Sequence, residues 1–175
     1  MVKKKWLGKY IVSFNTFLLL PVVQGNKLST LVIERNGELN VSRKPVHIVK
    51  NSCHYYGGSL QNSTNTAKLA IGKRHKMPII IAHDFGVPYI FLPTMSPNSE
   101  ENVWVSYSAI DNIEPDGMGC ILYLENGLSF KLDISATTMY RQYAVAALLE
   151  KNFLKKQRQL NRPSKFDKFD FPDED

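Results

Sequence analysis

The residues best suited to hold a charged partner lie between Lys44 and Ser59, in the order Lys44-Pro45-Val46-His47-Ile48-Val49-Lys50-Asn51-Ser52-Cys53-His54-Tyr55-Tyr56-Gly57-Gly58-Ser59. Lys44, Lys50 and His54 supply cations, and Tyr55 and Tyr56 supply flat amphipathic rings beside them. Cations next to aromatic faces are one way to hold a polyanion such as nucleic acid. The same residues also fit a plainer account, in which the tyrosines are half-buried packing and the lysines a solvated face. A second basic run, Lys73-Arg74-His75-Lys76, follows, with Lys68 ahead of it. Alone, four basic residues before a strand make a solvated turn. Beside the tyrosine segment, and in a chain that binds DNA, they would be candidate phosphate contacts, with Lys68 and His54 in support.

Other chemistries lack their parts. His47, Cys53, His54, His75, His83 and Cys120 form no C-x-x-C or H-x-x-x-H spacing, so no metal site is expected. Asp84-Phe85-Gly86 resembles a kinase triplet, yet no glycine-rich loop, strand lysine or catalytic loop accompanies it. No nucleophile elbow, phosphate loop, dinucleotide fingerprint or carboxylate pair is present. The expectation is a protein that is not an enzyme and needs no cofactor.

With 175 residues and 43% hydrophobic side chains, the chain is long enough for a buried core. Its net charge of +6 suits an anionic partner without identifying one. The distribution says more. Residues 1–99 carry 13 basic and 3 acidic groups, residues 100–133 one basic and 7 acidic, residues 134–165 seven basic and one acidic, and residues 166–175 one basic and 5 acidic. Such a dipolar molecule can offer a cationic face to DNA and an acidic one to a protein. Cys53 and Cys120 are far apart and in no paired motif, which implies free thiols.

The elements that must position these residues follow from pattern. Pro45 suits the first turn of a helix, where its missing N–H is no loss, and Val46, Val49 and Cys53 then share one face until Gly57 and Gly58 end it. Ser59 to Ile71 is polar, with Leu60, Ala67, Leu69, Ala70 and Ile71 as its apolar anchors, and fits a short helix that ends at Gly72. Leu28–Arg35 and Glu38–Val41 flank Asn36-Gly37, a type I′ hairpin signal that would set Arg35 against Glu38 and Val32 against Val41. Pro78–Ala82 and Pro88–Leu92 read as strands around Asp84-Phe85-Gly86. Val103–Ile113 alternates as one strand. Cys120–Leu124 and Leu128–Leu132 pair across Asn126-Gly127, placing Tyr123 opposite Phe130 and Ile121 opposite Leu132 on a buried face. Ser135 caps a last helix whose Met139, Tyr143, Ala146, Leu149 and Phe153 recur every three or four residues, a stripe for the core or for a second subunit. Lys155, Lys156, Arg158, Arg162 and Lys165 form a basic, fraying extension, and Phe166, Phe169 and Phe171 alternate with aspartates in a tail too polar to fold alone.

The first 23 residues imitate a signal peptide, with Lys3-Lys4-Lys5 and Lys9 before an apolar stretch. Ser13, Asn15 and Thr16 interrupt that stretch and Pro21 ends it, so no run reaches the ~18 residues a spanning helix requires. Two strands, Tyr10–Phe14 and Phe17–Val22, fit its β-branched and aromatic content.

Several motifs also recur in a known order. Lys44-Pro45, Ile48-Val49, Ser52-Cys53, Tyr55-Tyr56-Gly57 and Ser59, then His75-Lys76, Pro78-Ile79, Leu92-Pro93-Thr94 with Ser96, and Trp104 with Ser106 and Ile110 resemble the signature of the ComK-type competence transcription factors. Tyr10 to Val41 resembles that family's paired apolar strands, and Asn126-Gly127 with Ser135 to Phe153 its late hairpin and helix. The resemblance implies a cytoplasmic, self-associating transcriptional activator of competence (DNA-uptake) genes. It implies binding to paired A-tract and T-tract boxes in AT-rich duplex, mainly from the minor groove. Members of that family usually place a glycine and two basic residues after the aromatic turn, where this chain has Gln61-Asn62-Ser63-Thr64-Asn65. Two phosphate contacts are therefore missing. The other reading is a family-derived protein-interaction or regulatory module with little DNA affinity. The resemblance also suggests a protease adaptor as partner of the C-terminal tail; no membrane partner is expected.

The fold expected is α+β: antiparallel strands from both halves, two short central helices and a C-terminal helix, the final strands and closing helix forming a pleckstrin-homology-like half. Residues 1–160 are expected to form one DNA-binding globular domain, with two lobes divided near residue 100, and 161–175 a flexible acidic, aromatic tail.

Overall fold

The computed structural model describes residues 3–161. Arg162, Lys165 and the aromatic positions of the tail lie outside the described residues. The elements run β1 (Trp6–Leu7), β2 (Thr16–Gln24), β3 (Lys27–Glu34), β4 (Gly37–Val41), α1 (Pro45–Tyr55), α2 (Leu60–Ile71), β5 (Ile79–Asp84), β6 (Val87–Pro93), β7 (Trp104–Ser106), β8 (Ile110–Asp116), β9 (Gly119–Leu124), β10 (Ser129–Leu132) and α3 (Ala136–Leu160). Seven strands form one sheet in the order β1-β4-β3-β2-β7-β6-β5, and three form another in the order β10-β9-β8. All pairs are antiparallel except β1 with β4. The architecture is the α+β arrangement expected, with two central helices and a closing helix.

Strand side chains alternate in direction, so one sheet divides its residues between two faces. Leu18, Ile33, Ile90, Leu92 and Val105 pack with Ala67 of α2, Leu122 of β9, and Met139 and Leu149 of α3. Leu19, Val32, Val41, Tyr89, Phe91 and Trp104 pack on the opposite face with Ile48, Val49 and Cys53 of α1. The large sheet thus lies between α1 on one side and α3 with the small sheet on the other. Both faces are dry, which is why Leu18, Leu19, Trp104 and Val105 are all buried in consecutive pairs. Each aliphatic side chain so placed contributes about 1.5–3 kcal/mol.

Five sequence expectations change. Residues 10–14 are not a strand: the Val12 N–H donates to Ser52 Oγ at 3.0 Å and its carbonyl accepts from the Tyr56 hydroxyl at 2.7 Å. Helix α1 satisfies that backbone in place of a ladder partner. The β3–β4 turn centres on Arg35-Asn36, with Glu34 opposite Gly37 and Val32 opposite Leu39. Neither Asn36 nor Gly37 has positive φ, so no type I′ turn forms on them. Arg35 is held in the loop by the Asn15 carbonyl (2.8 Å from its N–H), the Asn126 amide (3.1 Å from its carbonyl) and Glu125 (2.6 Å). The offset is two residues on β4, so the same side chains still share a face.

The β9–β10 register differs by one residue, so the β9 side chains change face while Phe130 and Leu132 of β10 stay on the core side. Phe130 lies opposite Leu122 and Leu132 opposite Cys120. The loop has three residues rather than two: Gly127 donates to the Leu124 carbonyl at 3.0 Å and takes φ of 86°, and Asn126 Oδ1 accepts from the Leu128 N–H at 3.1 Å. Cys120, Leu122 and Leu124 are therefore buried, with Ile121 and Tyr123 half-exposed. The alternating stretch 103–113 is broken by a turn of 3-10 helix, Tyr107–Ala109, which lets the chain leave one sheet and enter the other. Finally, α3 does not fray after Phe153; Lys155, Lys156 and Arg158 belong to the same helix. No helix among the described residues is long and apolar enough to cross a membrane.

Candidate nucleic-acid interface

Helix α1 is built as the pattern requires. Pro45 occupies its first turn, Lys44 takes an extended conformation as N-cap, and the Lys44 carbonyl accepts from the Ile48 N–H at 3.1 Å. Pro45, Ile48, Val49, Ser52 and Cys53 face the core. The remaining positions face water, and Lys44, His47, Lys50 and His54 recur on them at spacings of three, three and four. Residues so spaced lie in one row. The row rises about 15 Å, at ~1.5 Å per residue. Among the described residues neither Lys44 nor Lys50 has an ion-pair partner.

Tyr55 closes the row. It is 70% exposed and meets the Tyr56 ring edge-on at 5.2 Å. Tyr56 plays a different part. Its hydroxyl is spent on the Val12 carbonyl, and burial pushes its ionisation upward. It supports Tyr55 and ties the N-terminal segment to α1.

The second basic group sits elsewhere. Ser59 caps α2 by accepting from the Asn62 N–H at 3.0 Å. Leu60 packs with the α1 side of the sheet and Ala67 with the α3 side, so α2 wraps around the β5 edge. Lys68 is exposed on its last turn, and Lys73 and Arg74 are exposed after Gly72. Lys76 is half-buried, and its carbonyl accepts from Gln142 Nε2 of α3 at 3.2 Å; the same amide donates to the Pro93 carbonyl at 2.7 Å. The structure therefore brings together Lys44, Lys50, His54 and Tyr55. It anchors the Lys73–Lys76 segment beside α3, on the other side of the large sheet.

Two features escaped the sequence reading. His47 completes the α1 row, and its spacing of three from both Lys44 and Lys50 was the available signal. Lys151, Lys155 and Arg158 line one shallow depression on α3; their spacing of four and three could have marked them as one face. Gln61 to Asn65 form the first turns of α2, where Asn62 and Ser63 edge a depression with Ile80, Leu149 and Phe153. Near Lys44 the surface is mixed, since Glu100 lines the same cleft of about 210 Å³ as Lys44 and His47. Among the described residues no cluster of His, Cys, Asp or Glu could hold a metal ion.

The cysteines carry no candidate chemistry. Cys53 and Cys120 are free and buried, and burial raises both thiols above their ordinary value.

A family model described as ComK protein matches residues 7–158. The chain is also similar to the "Competence transcription factor" of Bacillus subtilis (strain 168), at 25% identity over 148 residues, covering 84% of this chain and 76% of that protein. No solved structure matches it.

Proposed function

The chain belongs to the ComK protein family, and on that premise we propose that it is a DNA-binding transcriptional activator of competence genes. The observation that carries this reading is the row Lys44, His47, Lys50 and His54 on the water-facing side of α1, ending in the exposed Tyr55. The target is AT-rich duplex with paired A-tracts and T-tracts, read mainly from the minor groove. Narrow A-tract minor grooves concentrate negative potential, and an inserted cation reads that width without base-specific hydrogen bonds. Lys50 and Lys44 make the central phosphate or groove contacts, and Tyr55 offers a flat face beside them. Lys68, Lys73, Arg74 and Lys76 contact flanking phosphates from around the β5 edge. The protein acts in the cytoplasm as a self-associating species, and paired boxes suit paired subunits.

The test is fluorescence anisotropy on a duplex with paired A- and T-tracts against a GC-rich duplex, across a salt series. The tract duplex should bind more tightly by ~10³ or more. The double substitution Lys44→Ala with Lys50→Ala should reduce the salt slope by about 0.9 for each phosphate that is no longer neutralised. Arg74→Ala with Lys76→Ala should do likewise.

Two observations favour a second reading, a regulatory module that binds protein. Residues 61–65 of α2 are uncharged, and Glu100 shares the Lys44 cleft. Weak and equal binding to both duplexes selects this reading over the first.

A further inference from the structure

Phe85 is 98% exposed and takes φ of 47° at the tip of the β5–β6 hairpin. With Gly86 at φ of 77° and Asp84 opposite Val87, the loop is a two-residue turn with positive φ at both central residues. That turn favours Asn, Asp or Gly at its first central position, and a bulky aromatic there is strained. Phe85 gains nothing from burial within the fold to offset this. Behind the tip the hairpin is firm: Pro88 and Tyr89 are buried, and the Tyr89 hydroxyl donates to the Thr16 carbonyl.

Helix α3 brings charge to this tip. It meets Pro93 through Gln142, borders a depression with Ile80 through Leu149, and places the Phe153 ring 5.4 Å from the His83 ring. It therefore travels toward the tip, and its remaining residues, Leu154 to Leu160, extend about 10 Å past Phe153 at ~1.5 Å per residue. Lys155, Lys156 and Arg158 on that extension are exposed. Asp84 is the one acidic side chain of the hairpin; neighbouring strand residues point to opposite faces, so it is directed away from His83 and α3.

We propose that Phe85 is an apolar wedge that enters a base step of the bound duplex, with the cations at the C-terminal end of α3 holding the phosphates beside it. The inference rests on the DNA-binding reading above and adds to it the element that deforms the duplex. Proteins that bind in the minor groove commonly insert Phe, Leu, Ile, Met or Pro between base steps and kink the duplex by about 20–90°. A rigid hairpin carrying one exposed aromatic ring beside a basic helix end has the shape and charge for that act.

The test uses the full chain and a duplex with paired A- and T-tracts, labelled at both ends for energy transfer, with wild type, Phe85→Gly and Phe85→Leu. Glycine suits the turn, so Phe85→Gly should fold as wild type and keep the salt slope. It should lose the bend and about tenfold or more of tract affinity, while Phe85→Leu, still a wedge, keeps most of both. A wild-type bend in Phe85→Gly overturns the wedge. So does a change in sedimentation from a larger to a smaller species in Phe85→Gly, which assigns the ring to a second copy of the chain. Wild type without preference for the tract duplex over a GC-rich one overturns the DNA reading itself, and the wedge with it. Preference in wild type with an unchanged Phe85→Gly overturns the wedge alone.

Discussion

Tyr55 and Tyr56 are adjacent and alike in type, yet their environments assign them different work. The Tyr55 ring faces water at the end of the α1 row, and the Tyr56 hydroxyl holds the Val12 carbonyl across 44 residues of chain. Tyr56→Phe should cost about 0.5–1.5 kcal/mol, the usual net worth of one hydrogen bond, read as a lower urea midpoint, with the DNA salt slope unchanged. Tyr55→Ala should show the reverse pattern, stable in urea and weaker on DNA. The lysines differ too: Lys50 is exposed on α1, whereas Lys76 is half-buried and its carbonyl accepts from Gln142.

At the scale of elements, Gln142 is the tie between α3, the segment before β5 and the end of β6. It is buried, and one amide serves the Lys76 and Pro93 carbonyls. Gln142→Ala would leave both carbonyls without this donor. It should cost about 1–3 kcal/mol, the penalty of an unsatisfied buried polar group, measurable by urea unfolding. Faster hydrogen exchange in the Lys73–Lys76 segment should accompany the loss, with α1 protected as before. Strands β6 and β7 belong to the framework and not to a binding surface: Leu92, Pro93, Thr94, Trp104 and Ser106 are all buried in or beside the sheet. Trp104 is central to the α1 side of the core.

The whole molecule is electrically divided. Basic residues line α1, follow α2 and end α3, while Asp111, Glu114 and Asp116 are exposed on β8, an edge strand of the small sheet. Charges on an edge strand discourage pairing with another chain's edge. Tyrosines wholly or partly withdrawn from water set an alkaline limit on stability. Burial first, and Glu34 among the further causes, raises Tyr10; burial raises Tyr89; burial, then Glu150, raises Tyr107. Each phenol is neutral when protonated, and the folded state keeps its proton to higher pH than the unfolded chain, whose tyrosines ionise near 10.0. Their stabilising effect is complete below that pH and is lost as pH rises above it. The urea midpoint should therefore hold through pH 9 and fall between about pH 10 and 12, in step with tyrosinate absorbance.

Local chemistry is legible in the order of residues alone. Pro45 fixes a helix start, Ser135 accepts from the Thr138 N–H to open α3, and apolar periodicity names the buried side of α1 and of α3. Spacing alone also placed Lys44, Lys50 and His54 together, because residues three and four apart share a helix face wherever the helix sits. Tertiary structure decided whatever depended on residues distant in the chain. Arg35 stays in its loop because Asn15, Glu125 and Asn126 hold it, overriding Asn36-Gly37. Residues 10–14 leave the sheet because Ser52 and Tyr56 satisfy Val12. The Lys73–Lys76 run parts from the α1 row because α2 must round the β5 edge to bury Leu60 on one side and Ala67 on the other. Local spacing fixes which residues share a surface within one element. Only the packing of elements against both faces of the sheet fixes which surfaces adjoin.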